Sequence, residues 1–372
     1  MTTHPFLGNV SPKHFLNEYW QKKPLLIRQA IPGFGSHLPP EELAGLALEE
    51  EVESRLVVQS GDKDWQLFKG PFDEQRFAQL PQNRWSLLIQ GADQWLDEVN
   101  TLLRSIDFIP SWRVDDVMIS YATDQGSVGP HYDNYDVFLL QAEGTRSWQL
   151  GQWCDHTTPL LPHPQLKLLQ EFLPSQEYVL EPGDMLYVPT RLAHHGVSRG
   201  DSISYSLGFR APATADLLSR FCDELCSQLP AENRYQDSDL ELPSASGEID
   251  QKALTRVRQL LLDTLDNPEL LRDFFGRYVT EPKFDEPPQP EAVDMLAEHA
   301  CVQLTPGHRL AFTQTSETLE LFADGVRIVT NRSFFALCQQ VASGFPFTGP
   351  FNRDQQELLT KLLALGTIEL ID

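Results

Sequence analysis

From about Arg55 to Arg210 the chain is written in short runs of apolar, β-branched and aromatic residues, separated at regular intervals by turn residues. That punctuation restricts the region to a barrel or a sandwich of strands. Tyr178 to Pro189 shows the pattern in one line: an apolar run, the turn residues Pro182-Gly183-Asp184, then a second apolar run. Residues 115–123 and 135–141 read as strands in the same way, and they bracket Gly129-Pro130-His131-Tyr132-Asp133.

In extended chain, side chains at i and i+2 leave the same face, so His131 and Asp133 project together with Cα atoms about 6–7 Å apart. A third ligand from elsewhere would complete a two-histidine, one-carboxylate set. Such a set occupies one face of an octahedral ion and leaves three adjacent positions open. A His-x-Asp triplet alone is a weak motif whose bland reading is a solvated loop; the flanking strands raise its weight. His194 and His195 follow the strand that ends near Pro189. Neighbouring extended residues point to opposite sides, so one of the two faces the metal, and spacing leaves both open.

Five signatures follow one another in order: Tyr19 to Arg28, Glu42 to Ala47, Val128 to Phe138, Leu180 to Pro189 and Tyr205 to Pro212. In these the chain resembles the JmjC group of cupin-fold 2-oxoglutarate oxygenases. More closely, it resembles the bacterial ribosomal oxygenases, arginyl hydroxylases acting on the sixteenth protein of the large ribosomal subunit. The likeness covers the first 212 residues densely and the tail in outline. It implies a mainly β catalytic domain, a double-stranded β-helix or cupin/JmjC jelly roll, with flanking helices. It implies Fe(II) held by His131, Asp133 and His194, with 2-oxoglutarate as cosubstrate and O2 as oxidant, giving succinate, CO2 and a hydroxylated side chain.

Arg146, in Gly144-Thr145-Arg146-Ser147-Trp148, has the planar charge that clamps a carboxylate with two parallel hydrogen bonds, although an arginine there would ordinarily be a solvated turn residue. The resemblance assigns Arg146 to the far carboxylate of 2-oxoglutarate and offers Ser120 as a hydroxyl contact to it. Ser204 stands where many JmjC enzymes have Asn, so no cosubstrate contact is assigned there.

With 53 acidic against 29 basic side chains the formal net charge is −24, which repels nucleic acid and suits a basic partner. A ribosomal protein is such a partner. An arginine substrate calls for a carboxylate and aromatic walls, and Asp124, Tyr132 and Tyr135 lie near the ligand strand, Asp124 in a segment that otherwise reads as a turn.

Ser11-Pro12 opens a helix through Phe15, Tyr19 and Trp20, and Pro39-Pro40 opens another reaching about Glu51. From Ala213 the pattern turns helical, with Leu217, Leu218, Phe221 and Leu225 on one face, then an exposed acidic stretch from Gln236 to Glu248. Helices follow at about Asp250–Leu265 and Pro268–Tyr278. The expected division is 1–212 catalytic, 213–280 helical and dimerising as the family implies, 281–290 a proline-rich linker, and 291–372 a small winged-helix-like α+β domain. From Glu291 onward ten acidic residues face five Lys plus Arg, a net of −5 that argues against DNA binding.

Five scattered cysteines read as reduced thiols, Cys222 and Cys226 as packing residues, and the other aromatics, including Trp65, Trp85, Trp95, Trp112, Trp148 and Trp153, as core or rim packing. No stretch reaches membrane-spanning length and no targeting pattern opens the chain, so a cytoplasmic protein is expected, and the family resemblance implies a homodimer. The competing readings are a histidyl or asparaginyl hydroxylase or a methyl-lysine demethylase of the same fold, a Zn, Mn or Ni isomerase, and a non-catalytic cupin metal-binding module.

Overall fold

The computed structural model describes residues 4–61, 63–283 and 294–371. Most of the expected linker therefore lies outside the described residues. The first helix, α1 (Pro12–Glu18), starts where Ser11 caps it by accepting from the His14 N–H. It leads into β1 (Leu25–Ile27) and α2 (Pro40–Leu46). The expectation that α2 reaches Glu51 is corrected by the structure. The run Glu49-Glu50-Glu51 would set three negative charges on the negative end of the helix dipole, and the chain turns off at Ala47 instead.

Then come β2 (Ser54–Gly61), β3 (Asp64–Lys69), α3 (Glu74–Ala78), β4 (Trp85–Ile89), α4 (Asp97–Arg104), β5 (Val114–Ala122), β6 (Val137–Trp153), β7 (Gln176–Leu180), β8 (Met185–Val188) and β9 (Leu192–Phe209). The helices α3 and α4 interrupt a region read from sequence as strand-dominated. The signal for α4 was present in Asp97-Glu98 followed by Val99, Leu102 and Leu103, all three now buried.

The nine strands form one antiparallel sheet ordered β1-β8-β6-β9-β5-β4-β2-β3, with β7 added beside β6. This is the mainly β architecture expected. Alternation along β6 divides it between two cores. Phe138 and Leu140 join a large cluster with Phe15, Tyr187 and Phe209, while Val137 and Leu139 join Trp148, Leu186 and Val188. The first cluster seats α1 through Phe15, whose ring lies 4.9 Å from that of Tyr187 and 5.6 Å from that of Phe138.

Beyond the sheet run α5 (Thr214–Gln228), α6 (Gln251–Leu265) and α7 (Pro268–Thr280). In α5, Phe221 and Leu225 are buried, but Leu218 is exposed and does not share their face. No residue of α6 is buried. The last part holds β10 (Cys301–Leu304), β11 (Leu310–Gln314), β12 (Thr318–Ala323), β13 (Val326–Asn331), α8 (Phe335–Ser343), β14 (Phe347–Thr348), α9 (Arg353–Ala364) and β15 (Ile368–Ile371). It forms two three-stranded sheets around their own core, and β14 and β15, not anticipated from sequence, supply both neighbours of β10. Among the described residues no helix is long and apolar enough to cross a membrane.

One buried ionic knot ties the N-terminal segment to the sheet. Asp136, fully buried, accepts from the Tyr187 hydroxyl at 2.7 Å and from Gln21 Nε2 at 2.9 Å, and Tyr187 in turn accepts from the Gln21 N–H at 2.8 Å. Tyr187→Phe leaves a buried carboxylate short of a donor and should cost about 1–3 kcal/mol in urea unfolding. An unchanged midpoint and slope would show that the knot contributes nothing.

Candidate metal centre

His131 and His194 are cross-strand partners in an isolated antiparallel bridge. The His131 N–H donates to the His194 carbonyl at 3.1 Å, and the His194 N–H returns the bond to His131 at 2.8 Å. Their rings lie 4.3 Å apart. Asp133 sits two residues on, in the loop before β6 and not in a strand as the sequence suggested; it still brings Oδ2 to 3.8 Å from His131 Nε2 and 3.6 Å from His194 Nε2. All three ligand atoms fall within 4.8 Å of one another, the one such histidine, cysteine and carboxylate group found among the described residues.

The ring orientation is fixed from behind. His131 Nδ1 lies 2.9 Å from the Gly129 carbonyl and His194 Nδ1 lies 3.0 Å from the Leu192 carbonyl. Each Nδ1 therefore carries the proton, and each Nε2 presents a lone pair to the shared space. Gly129 takes a positive φ of 85° in the turn that aims this carbonyl, a conformation open to glycine. Burial pushes His194 down to about 4, with the neighbouring His131 adding to the effect, so the ring is neutral at physiological pH as a metal ligand must be. His195 points to the other side, with its ring 5.9 Å from Phe172.

A cavity of about 510 Å³ runs from this triad to Arg146. Arg146 is buried, and its guanidinium is held by hydroxyls: Nη1 donates to Ser120 at 2.8 Å and Ser204 at 2.7 Å, while Nη2 and Nε donate to Ser202 at 3.0 and 3.2 Å. No carboxylate among the described residues pairs with it. Burial lowers its pKa to about 10, which leaves it charged at neutral pH. An uncompensated buried cation is costly, and the arrangement fits a site completed by an anion. The roles of Ser202 and Ser204 were not read from the sequence, although Ser202, Ser204 and Ser206 alternate along β9 and so share one face. Trp148 likewise lines the cavity; its ring lies over Gly196, where an added Cβ would come within 2.7 Å of it.

The remaining expected residues divide. Tyr132 and Tyr135 line the cavity, and the Tyr132 hydroxyl donates to the Asp155 carbonyl at 3.1 Å. Asp124 does not belong to it. Its Oδ1 accepts from the Gly200 N–H at 2.8 Å in an exposed turn, so its placement in a substrate pocket is corrected by the structure. The carboxylates that do line the cavity away from the triad include Asp115 and buried Asp116, which the sequence reading passed over as ordinary strand residues; Asp116 accepts from Gln90 Nε2 at 2.7 Å and Lys283 Nζ at 2.8 Å.

Residues 101–217 match the family model described as JmjC domain. The chain is similar to a probable ribosomal oxygenase of Haemophilus influenzae, 36% identical over 332 residues that span 85% of this chain and 82% of that protein. It is also similar to the ribosomal protein uL16 3-hydroxylase of Escherichia coli, 36% identical over 279 residues and 74% of each chain. Among solved structures, YcfD, a ribosomal oxygenase from Escherichia coli in complex with cobalt and 2-oxoglutarate, superposes with a TM-score of 0.83 at 29% identity, covering 98% of this chain and 99% of that one.

The geometry separates the two adjacent histidines experimentally. His131→Ala, Asp133→Ala and His194→Ala should each weaken Co(II) binding at least about a hundredfold in absorption titrations, whereas His195→Ala should leave it within about threefold. Equal losses from His194→Ala and His195→Ala would remove the assignment.

Proposed function

The chain belongs to the ribosomal oxygenase family of the JmjC group, and on that basis we propose that it is an Fe(II)- and 2-oxoglutarate-dependent dioxygenase that hydroxylates an arginine side chain of a basic large-subunit ribosomal protein, the uL16 protein. One observation carries this reading. The His131, Asp133 and His194 ligand atoms and the buried, carboxylate-free Arg146 line the same cavity. A facial triad with a cationic anchor beside it is the pairing that a metal-chelated dicarboxylate needs.

In this mechanism His131 and His194 hold the ion through Nε2 and Asp133 through its carboxylate. The bound ion with 2-oxoglutarate and O2 supplies the oxidising power: a C–H bond becomes C–OH while the cosubstrate is oxidised to succinate and CO2. Arg146 grips the distal carboxylate, and Ser120, Ser202 and Ser204 accept its N–H groups and so fix the guanidinium plane before the anion arrives. Val137, Leu139 and Trp148 keep the space between anchor and triad apolar.

Asp115, Asp116, Tyr132 and Tyr135 supply the carboxylates and aromatic walls that a guanidinium side chain favours, and the acidic charge of the whole chain steers a basic protein toward them. The same reading divides the chain into a catalytic part (1–212), a helical dimerising part (213–280), a linker (281–290) and a C-terminal domain (291–372), working in the cytoplasm. The exposed stripe Leu254, Val257 and Leu261 on α6 is the surface we assign to the two-fold contact of a homodimer.

Mass spectrometry of a uL16 fragment incubated with the protein, Fe(II), 2-oxoglutarate and air should show one added oxygen on arginine, absent with His131→Ala. Arg146→Met should keep Co(II) binding while weakening 2-oxoglutarate about a hundredfold or more in calorimetry. Turnover of 2-oxoglutarate without arginine oxidation would keep the oxygenase and discard the arginine assignment. Sedimentation should show a dimer for the native chain and a monomer for Leu261→Glu; a native monomer at all concentrations would end the two-fold proposal.

A further inference from the structure

A second cavity, about 610 Å³, lies between the catalytic sheet and the C-terminal sheets, in the size range of small-ligand sites. One side is formed by α4 and the start of β5, the other by β11 and the end of α8. Much of its wall is apolar, including Leu103, Ile106, Ile109, Leu310 and Phe312. Two polar side chains on it face the cavity, one of them with no hydrogen bond of its own among the described residues. Asn100, 7% exposed, makes no side-chain hydrogen bond to any described residue. Asp93, 5% exposed, accepts from the Val117 N–H at 2.8 Å through Oδ1 and from its own backbone N–H. Both side chains are more than nine-tenths buried yet open on the cavity, and the Asn100 amide has no hydrogen bond to any described residue, so an occupant would meet both.

The charges around the cavity say which kind. The basic side chains along it already have carboxylate or carbonyl partners: Arg309 lies 2.8 Å from Asp115, Lys283 lies 3.2 and 2.8 Å from Asp115 and Asp116, His308 Nδ1 lies 2.9 Å from Asp324, and Arg104 donates to the Leu304 carbonyl. The Asp93 carboxyl and the Asn100 amide oxygen offer acceptors to an occupant, beside an Arg104 charge that Glu369, Asp93 and Asp97 offset. Burial holds the Asp93 carboxyl up at about 7, so it gains a proton readily when alone and would release it to a bound cation. An apolar wall with a recessed acidic end suits an aliphatic stem carrying a positive charge.

We propose that this cavity binds a primary amine or guanidinium on an aliphatic stem, and that its occupant in the working enzyme is a second basic side chain of the protein substrate. The assignment of the occupant rests on the hydroxylase reading above; the cation site itself does not. Asp115, Asp116 and Lys283 line both cavities, so a substrate segment crossing this shared wall presents one residue to the metal and a neighbouring basic residue to Asp93.

Agmatine supplies the cation without the protein. It should raise the melting temperature of the native chain saturably, and the rise should disappear in Asp93→Asn, in Asn100→Ala and in Ser343→Trp, which obstructs the cavity from an exposed position on its wall. No rise in the native protein, or one that survives all three variants, overturns the site. With unmodified substrate peptides, Asp93→Asn should raise KM for hydroxylation about tenfold, with kcat unchanged, only where a second basic residue accompanies the target. An unchanged KM alongside the agmatine effect overturns the substrate occupant and leaves a free amine. The thermal experiment needs no turnover, so loss of the hydroxylase reading would not be mistaken for loss of the site.

Discussion

The register between β6 and β9 is the constraint on which the rest depends. These strands of 17 and 18 residues pair from Val137 opposite Gly208 to Trp153 opposite Leu192. Because side chains alternate faces, that one alignment sends Arg146 inward beside Ser202 and Ser204, seats Trp148 on Gly196, and brings His194 to the mouth where the loop holding His131 crosses it. A slip of one residue would turn His195 toward the triad and carry the serines away from the guanidinium. The register is held where it must be, since both faces of β6 are buried, one against the aromatic cluster around Phe15 and the other against the cavity wall.

The cavity is assembled at a cost to stability. Arg146 keeps its charge in the interior with hydroxyl and carbonyl partners but no carboxylate among the described residues, and two imidazoles and a carboxylate converge beside it. Groups placed this way destabilise an empty protein and stabilise a loaded one, so ligand and metal add to the folding free energy by mass action. Hydroxyls are apt holders for such a cation. They orient the guanidinium without neutralising it, leaving the charge for an incoming carboxylate. A serine at 204 in place of the Asn common in related enzymes thus has a defined job in this chain, as one of three hydroxyls on the anchor.

Asp115 and Asp116 link the catalytic sheet to the rest of the molecule. They receive Arg309 from just before β11 and Lys283 from just after α7, and they line both the metal cavity and the second one. Through them the C-terminal part, from Asp294 onward, is in ionic contact with a wall of the metal cavity. Its acidic balance had already set it apart from nucleic-acid-binding winged helices, and its two small sheets, closed by β14 and β15, form a core separate from that of the catalytic sheet.

Much of this was legible in the linear chain. Period-two apolar runs and Pro-Gly turns determined that residues 55–210 would be dominated by strands, though not that α3 and α4 interrupt them, because alternation and turn chemistry are local properties. His131 and Asp133, two residues apart, declared a shared site for the same reason. Alternation alone could not choose between His194 and His195; that choice needed the absolute register of β9, which is a matter of pairing between residues 40 to 70 positions apart. Asp124 looked suitable by proximity in sequence, yet its carboxylate was taken by the Gly200 N–H, while Asp116 and Lys283, 167 positions apart, met at 2.8 Å. Local chemistry could nominate the strands and the His131–Asp133 pair, while His194 and Arg146 were nominated by the family resemblance. Only the folded sheet, by fixing which distant backbones pair, decided which histidine turns inward, which serines hold the arginine and which carboxylates line the cavity.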